Sequence, residues 1–113
     1  MHELTLAAGL LELTERHAKS NGLTKVLRVH FALGALAPVD EEALAFGFEV
    51  ARRGTIAEDA ELCVERIAGR ASCDSCAAVV EVVARGAPCP SCGGLCWKLV
   101  AGEEMRLTAL EGV

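Results

Sequence analysis

The sequence predicts an α+β fold, in which a small lobe of two helices on a three-stranded sheet carries an inserted cysteine-rich lobe. Three observations predict it. Apolar residues recur at helical spacing near the start of the chain, apolar and polar residues alternate in later segments, and four of the six cysteines form two Cys-x-x-Cys pairs. The expected order is therefore helix, strand, helix, strand, cysteine module and strand.

The first predicted helix runs from Leu4 to about Ser20, and Gly22 follows it as a stop signal. Its predicted apolar stripe contains Leu4, Ala7, Ala8, Leu11 and Ala18, widened by Leu6, Leu10 and Leu13. The next segment alternates, which predicts a strand with one buried face. That face contains Leu27, Val29, Phe31 and Leu33, whereas Arg28 and His30 lie on the other face.

The second predicted helix begins at Pro38–Glu42, where acidic residues suit the positive end of the helix dipole, and ends near Gly54. A second strand is expected from Ala60 to Ile67, with Leu62 and Val64 inward, and a third from about Glu104 to Leu110. The predicted lobes are accordingly residues 1–68 with 101–113, and residues 69–100 as the insertion.

The inserted lobe contains the motifs CDSC and CPSCGG, whose pairs are separated by twelve residues. Four thiolates at this spacing can surround one divalent ion and leave no open position, which predicts a structural four-cysteine zinc ribbon. The expected zinc ligands are Cys73, Cys76, Cys89 and Cys92. Residues 77–83 between the pairs are expected to form a small metal-dependent hairpin.

Alternatives remain open for this lobe. Iron in a rubredoxin-like site would also suit the CPSCG sequence. Cys96, four residues after Cys92, could replace it as a ligand. Otherwise Cys96 and Cys63 are interpreted as small hydrophobic residues.

Composition excludes several classes of function. The net charge is −5, and the stretch from Cys63 to Val100 has four basic and three acidic residues with a single aromatic, Trp97. Nucleic-acid binding needs clustered cations and stacking surfaces, so we do not expect this protein to bind nucleic acid. The longest apolar run has nine residues, too few to span a membrane, and no signal-peptide pattern is found. We therefore expect a cytoplasmic protein that binds neither nucleic acid nor membrane.

The amino terminus reads Met1-His2-Glu3, which places three nitrogens within chelating reach: the Met1 amine, the His2 amide and the His2 ring. This donor set favours a square-planar ion such as Ni²⁺ or Cu²⁺, and Glu3 could supply a fourth donor. The positive end of the first helix opposes a cation there, so binding is expected to be reversible. His17 and His30 are not expected to be ligands, and an inert terminus is the alternative.

With these motifs, the chain resembles the HypA/HybF family of nickel metallochaperones for [NiFe]-hydrogenase maturation. The resemblance rests on MHELTLA, VLRVHFALGALAPVDEEALAFGFEVARRGT, AELCVERI, CDSC, CPSCGG and GEEMRL, in this order. It implies Ni²⁺ at the Met1 amine, His2 and Glu3, and structural Zn²⁺ at the four cysteines. It also implies a non-enzymatic carrier whose partners are a nickel-delivery GTPase and the hydrogenase large subunit, and in some members urease maturation proteins. We expect a monomer or a weak homodimer.

One departure from the family concerns Ala68-Gly69, where members usually carry a proline, and it predicts a looser connection between lobes. Two other functions stay open on the residues alone. One is a zinc-ribbon adaptor for protein partners with an inert terminus. The other is a redox protein with iron in the ribbon.

Overall fold

The computed structural model describes residues 2–84, 86, 88–94 and 97–113, and the side chains of His2 and Trp97 lie outside that description. The elements are α1 (His2–Ser20), β1 (Val26–Gly34), α2 (Glu41–Ala51), β2 (Glu61–Ile67), β3 (Arg70–Cys73), β4 (Val79–Glu81), β5 (Trp97–Ala101) and β6 (Met105–Gly112). They form two three-stranded sheets, ordered β2-β1-β6 and β4-β3-β5. The predicted α+β class and order of elements are confirmed. None of the described helices is both long and apolar enough to cross a membrane.

The chain forms two compact units. The first unit comprises Met1–Phe31, Pro38–Glu65 and Arg106–Val113, and the second comprises Ala32–Ala37 and Arg66–Met105. The four motif cysteines all belong to the second unit. The lobe boundaries predicted from the sequence stay a prediction.

The core of the first unit is aliphatic, with one buried aromatic each from α2 and β1. Its members are Ala7, Leu10, Leu11, Thr14 and Ala18 from α1, Leu44 and Phe48 from α2, Val26, Val29 and Phe31 from β1, and Ala57 and Ala60 from the segment before β2. Thr14 is tolerated there because its hydroxyl donates to the Leu10 carbonyl at 2.8 Å.

Two residues of the predicted stripe on α1 are in fact exposed. Leu4 is 51% exposed, and Ala8 is exposed as well. The buried face of the helix is centred on Ala7 and Thr14, so both residues lie at its edge rather than within it. The predicted stripe was therefore too wide on one side.

One residue predicted to be buried in β1 is also exposed. Leu27 is 40% exposed. Val26 and Val29 are both buried, and the two residues between them, Leu27 and Arg28, are exposed. The strand thus shifts its buried face by one residue after Val26, and the predicted alternation holds only from Val29 to Phe31. From Ala32 to Gly34 every residue of the strand is buried.

Helices α1 and α2 pack closely at Gly47. A Cβ atom on Gly47 would lie 3.1 Å from the Cβ of Ala7, 3.2 Å from Cδ2 of Leu4 and 3.7 Å from the carbonyl oxygen of Glu3. Asp40 caps α2, since its side chain accepts from the Glu42 amide at 3.1 Å. The first turn of α1 is therefore fixed against a capped, glycine-containing face of α2.

In the second unit, β3 is the central strand and pairs antiparallel with β4 and β5. The predicted hairpin within residues 77–83 is wrong, because only β4 forms there and it pairs with β3. The first Cys-x-x-Cys motif is itself the turn that joins them. Gly69, before β3, is required by close packing: a Cβ atom there would lie 2.4 Å from the Val82 carbonyl oxygen.

Candidate metal centres

The four motif cysteines converge in the second unit. Their Sγ atoms all lie within 4.8 Å of one another, and no other group of three or more potential metal ligands occurs among the described residues. Cys73 and Cys92 are 3.6 Å apart, and Cys76 and Cys89 are 3.8 Å apart, measured between sulfurs. The sequence therefore identified a real cluster, although residues 77–88 separate the two pairs along the chain.

The two cysteine turns repeat one hydrogen-bond pattern. In the first turn, the Cys73 amide donates to the Ala78 carbonyl at 2.9 Å, and the Ala77 amide donates to the Cys73 carbonyl at 2.7 Å. In the second, the Cys89 amide donates to the Gly94 carbonyl at 2.8 Å, and the Gly93 amide donates to the Cys89 carbonyl at 2.7 Å. We call these the first and second knuckles.

The knuckles differ at one equivalent position. Ala77 and Gly93 both adopt the left-handed conformation, with φ of 60° and 74°. Glycine accepts this conformation without penalty, whereas alanine does not. Ala77 therefore holds its knuckle in a strained backbone that the second knuckle avoids.

Backbone amides prepare the thiols for metal binding. The amides of Cys76 and Ser75 lower the pKa of Cys73. Burial acts to raise the pKa of Cys89, but the amides of Cys92 and Ser91 and the neighbouring thiols bring it down to about 7. This favours thiolate, the form that ligates metal.

The pKa of the Cys92 thiol is shifted in the opposite direction. The Gly94 amide, which lies 3.4 Å from its sulfur, acts to lower its pKa, but the thiols of Cys73 and Cys76 outweigh that effect and raise it to about 12. Hydrogen bonds with the neighbouring thiols and burial favour the protonated form of Cys92, and an incoming cation would displace that proton.

The geometry fits a tetrahedral Zn²⁺ ion. Zn–S bonds of about 2.3 Å imply sulfur separations of about 3.8 Å, close to the 3.6 and 3.8 Å found. Two of the four cysteines, Cys73 and Cys89, are buried, while Cys76 and Cys92 are exposed. Such a site can hold an ion permanently and contribute to folding, but it offers no open position for chemistry. Cys96, the alternative ligand, lies outside the described residues.

The predicted amino-terminal site is described only in part, since Met1 and the His2 side chain lie outside the described residues. Helix α1 begins at His2, and Glu3 is half-buried in its first turn. The Glu3 carboxylate lies 3.5 Å from the Asp40 amide, where α2 starts. Sequence reasoning placed Asp40 at the acidic start of α2 but missed its contact with Glu3 and the role of Gly47. Both depend on the tertiary contact between α1 and α2, for which the sequence has no local signal.

The other histidines have different surroundings. His30 Nε2 lies 2.6 Å from Glu111 Oε2, and Arg28 donates to the same carboxylate at 3.1 Å. The hydrogen bond to His30, together with Arg28, holds the pKa of Glu111 below its usual value. His17 is exposed near the end of α1. Neither histidine belongs to a cluster of potential metal ligands among the described residues.

Comparison with known proteins extends over nearly the whole chain. The family model for hydrogenase/urease nickel incorporation, metallochaperone, hypA, matches residues 1–112. The hydrogenase maturation factor HypA of Rhodopseudomonas palustris (strain TIE-1) is 41% identical over 111 residues, which cover 98% of both chains. That of Roseiflexus sp. (strain RS-1) is 42% identical over 112 residues, 98% of this chain and 91% of the relative.

Two solved structures are similar to this chain over nearly its whole length. The solution structure of the Ni metallochaperone HypA from Helicobacter pylori superposes with a TM-score of 0.71 at 28% identity, covering 98% of this chain and 97% of that one. A second solution structure, of a HypA protein, gives a TM-score of 0.73 at 29% identity, covering 100% and 97%. The sequence, the α+β fold and the four-cysteine cluster lead to one conclusion: this chain belongs to the HypA family of nickel metallochaperones, which are maturation factors for hydrogenase and urease rather than enzymes.

Proposed function

We propose that this chain binds Ni²⁺ through the Met1 amine, His2 and Glu3, and delivers it for [NiFe]-hydrogenase maturation, with urease as a further recipient. Zn²⁺ held by Cys73, Cys76, Cys89 and Cys92 is structural. The observation that carries the proposal is the position of the MHE motif at the beginning of α1 in a member of this family.

The start of a helix suits a nickel site that uses a backbone nitrogen. The first amides of an α-helix have no carbonyl partner within the helix. The His2 amide, at the first residue of α1, is therefore available to lose its proton to Ni²⁺ without breaking a helical hydrogen bond. The amine and the imidazole complete chelate rings on either side, and nitrogen donors in a plane suit this ion.

Two opposing electrostatic effects would keep the affinity moderate. The amino-terminal ends of α1 and α2 meet where Glu3 approaches the Asp40 amide, and both carry positive dipole charge that disfavours a cation. The carboxylates of Glu3, Asp40, Glu41 and Glu42 offset this charge. A carrier that must release its cargo requires such a balance.

The cysteine cluster would not compete for the cargo. Four thiolates saturate a tetrahedral ion, whereas the terminal nitrogens favour planar coordination. Zinc would link the first knuckle, at the end of β3, to the second knuckle, which precedes β5. Among the side chains that the structure describes, the three short strands of this sheet bury few large ones, so the metal would supply much of the stability of this unit.

The proposed partners are a nickel-delivery GTPase and the hydrogenase large subunit, encountered in the cytoplasm by a monomer or weak homodimer. Cu²⁺ binds nitrogen donors more tightly than Ni²⁺ does. Selectivity therefore depends on cellular control of copper as well as on this site.

Complementation tests the delivery function. A strain lacking this gene should lose hydrogenase activity and regain it with excess nickel in the medium. The wild-type gene and His17→Ala, a control histidine on the same helix, should restore activity at low nickel, and His2→Ala should not. Full restoration by His2→Ala would contradict the proposal.

Metal analysis tests the ribbon separately. The purified protein should be colourless and retain zinc through dialysis. A coloured preparation that contains iron and shows a reversible redox wave would instead support an electron-transfer role.

A further inference from the structure

Three large apolar side chains are exposed where α1 and α2 meet. Phe46 is 64% exposed, Leu4 51% and Val50 42%. Single exposed apolar residues are ordinary on protein surfaces, but a contiguous group marks an interaction surface. An exposed phenylalanine is also unusual in a chain whose aromatic content is only 4%.

The three residues form one patch. Phe46 and Val50 are four residues apart on α2 and are therefore neighbours on the helix surface. Leu4 lies against Gly47, which follows Phe46 in the chain and precedes Val50 by one helical turn, since its Cδ2 atom lies 3.2 Å from the position of a Cβ on that glycine. We call Leu4, Phe46 and Val50 the apolar patch.

Acidic residues border the apolar patch. Glu42 and Glu49 lie one helical turn before and after Phe46, and both are exposed. Neither forms an ion pair with any residue that the structure describes. Asp40 and Glu3 extend the acidic border towards the start of α1, while Arg53 adds one cation beyond Val50.

We propose that the apolar patch docks the protein that exchanges nickel with this chain, and that this partner presents an apolar pocket rimmed by lysine and arginine. The acidic border selects a basic rim and disfavours face-to-face contact with a second copy of this chain. The inference rests on the proposed function. Leu4 follows His2 by two residues, so a partner seated on the patch holds its own ligands beside the nickel site.

This placement suits direct metal transfer. Exchange by ligand substitution requires donors of both proteins to reach the same ion, and a docking surface beside the terminus provides that proximity. A central aromatic in an apolar contact typically contributes most of the affinity, with charged rims steering association. Phe46 takes the first role here, and Glu42 and Glu49 take the second.

The test uses zinc-loaded, full-length protein and the GTPase named above as the probe. Phe46→Ala and Val50→Ala should each weaken binding, Phe46→Ala by about tenfold or more. The matched control is Val83→Ala, which removes a valine that is 88% exposed in the second unit, and it should bind like the wild type. The double variant Glu42→Lys/Glu49→Lys should slow association and remove much of its salt dependence.

Nickel titration of the same variants separates the two proposals. If the wild type and Phe46→Ala bind nickel alike and only Phe46→Ala loses the GTPase, both stand. If nickel binds but Phe46→Ala and the charge reversals leave the GTPase affinity unchanged, the docking inference is overturned and the proposed function survives. A wild type that binds the GTPase but no nickel refutes the proposed function. If Phe46→Ala abolishes self-association in sedimentation while GTPase binding persists, the patch joins two copies and the inference is wrong.

Discussion

Opposite substitutions in the two knuckles should shift zinc affinity in opposite directions. Ala77 and Gly93 occupy equivalent positions, with φ of 60° and 74° and the same pair of backbone hydrogen bonds around each cysteine. Ala77→Gly removes a strained alanine, whereas Gly93→Ala introduces one. The knuckles are expected to form fully only when zinc is bound, so backbone strain appears as a change in metal affinity.

The magnitude follows from two terms. An alanine in the left-handed region costs about 1–2 kcal/mol, while the greater freedom of glycine in the unfolded chain costs about 0.4–1 kcal/mol relative to alanine. The balance favours glycine by about 0.5–1 kcal/mol, which is about two- to fivefold in zinc affinity. A Cβ atom on Gly93 would meet nothing within 4 Å, so the conformational cost stands alone there.

Competition with a coloured zinc chelator measures this effect. Ala77→Gly should bind zinc more tightly than the wild type, Gly93→Ala more weakly, and the double variant about as well as the wild type. If both single variants shifted the affinity in the same direction, the equivalence of the knuckles would be refuted. A loss of affinity in Ala77→Gly alone would refute the argument from strain.

Three further predictions concern other parts of the chain. Gly47→Ala should lower the free energy of urea unfolding by about 1 kcal/mol, because overpacking between α1 and α2 outweighs better helix propensity. Gly9→Ala is the control: nothing lies within 4 Å of its Cβ position, so it should be neutral or stabilising. Glu111→Gln should destabilise at neutral pH. The lowered pKa of Glu111 beside His30 gives stability that is present above the ordinary 4.5 and lost as pH falls through the folded value, so the variant and wild type should converge in acid urea titrations. Cys89→Ser should abolish zinc retention and collapse the chemical-shift dispersion of the second unit in NMR spectra, while the signals of the first unit persist; intact second-unit signals would contradict a structural role for the metal.

Local patterns predicted the elements of the first unit well. Helical spacing in α1 and the alternation in the middle of β1 reflect burial on one face, which sequence periodicity records. The acidic start of α2 was recognisable because it suits the positive end of the helix dipole. Leu4, Ala8 and Leu27 were placed wrongly because their burial depends on tertiary packing. Nothing local shows that α2 presents Gly47 to α1, or that the buried face of β1 shifts after Val26.

The second unit was less predictable, with the exception of its cysteines. The Cys-x-x-Cys pairs identified the cluster because the ligand spacing is itself a geometric requirement. Strands β3 and β5 were missed, because strands of four and five residues are too short to show a recognisable alternation of apolar and polar residues. The left-handed conformation of Ala77 was equally hidden, because alanine gives no local signal for positive φ.

Nickel calorimetry on zinc-loaded protein with a native amino terminus tests the central claim most directly. The comparison is a variant with one glycine added before Met1, which keeps the His2 ring but moves the amine out of chelating reach. The account predicts one-to-one nickel binding that weakens strongly on extension and falls as pH drops through the titration of the amine and imidazole. Equal nickel binding by the two proteins, or binding by neither, would contradict it.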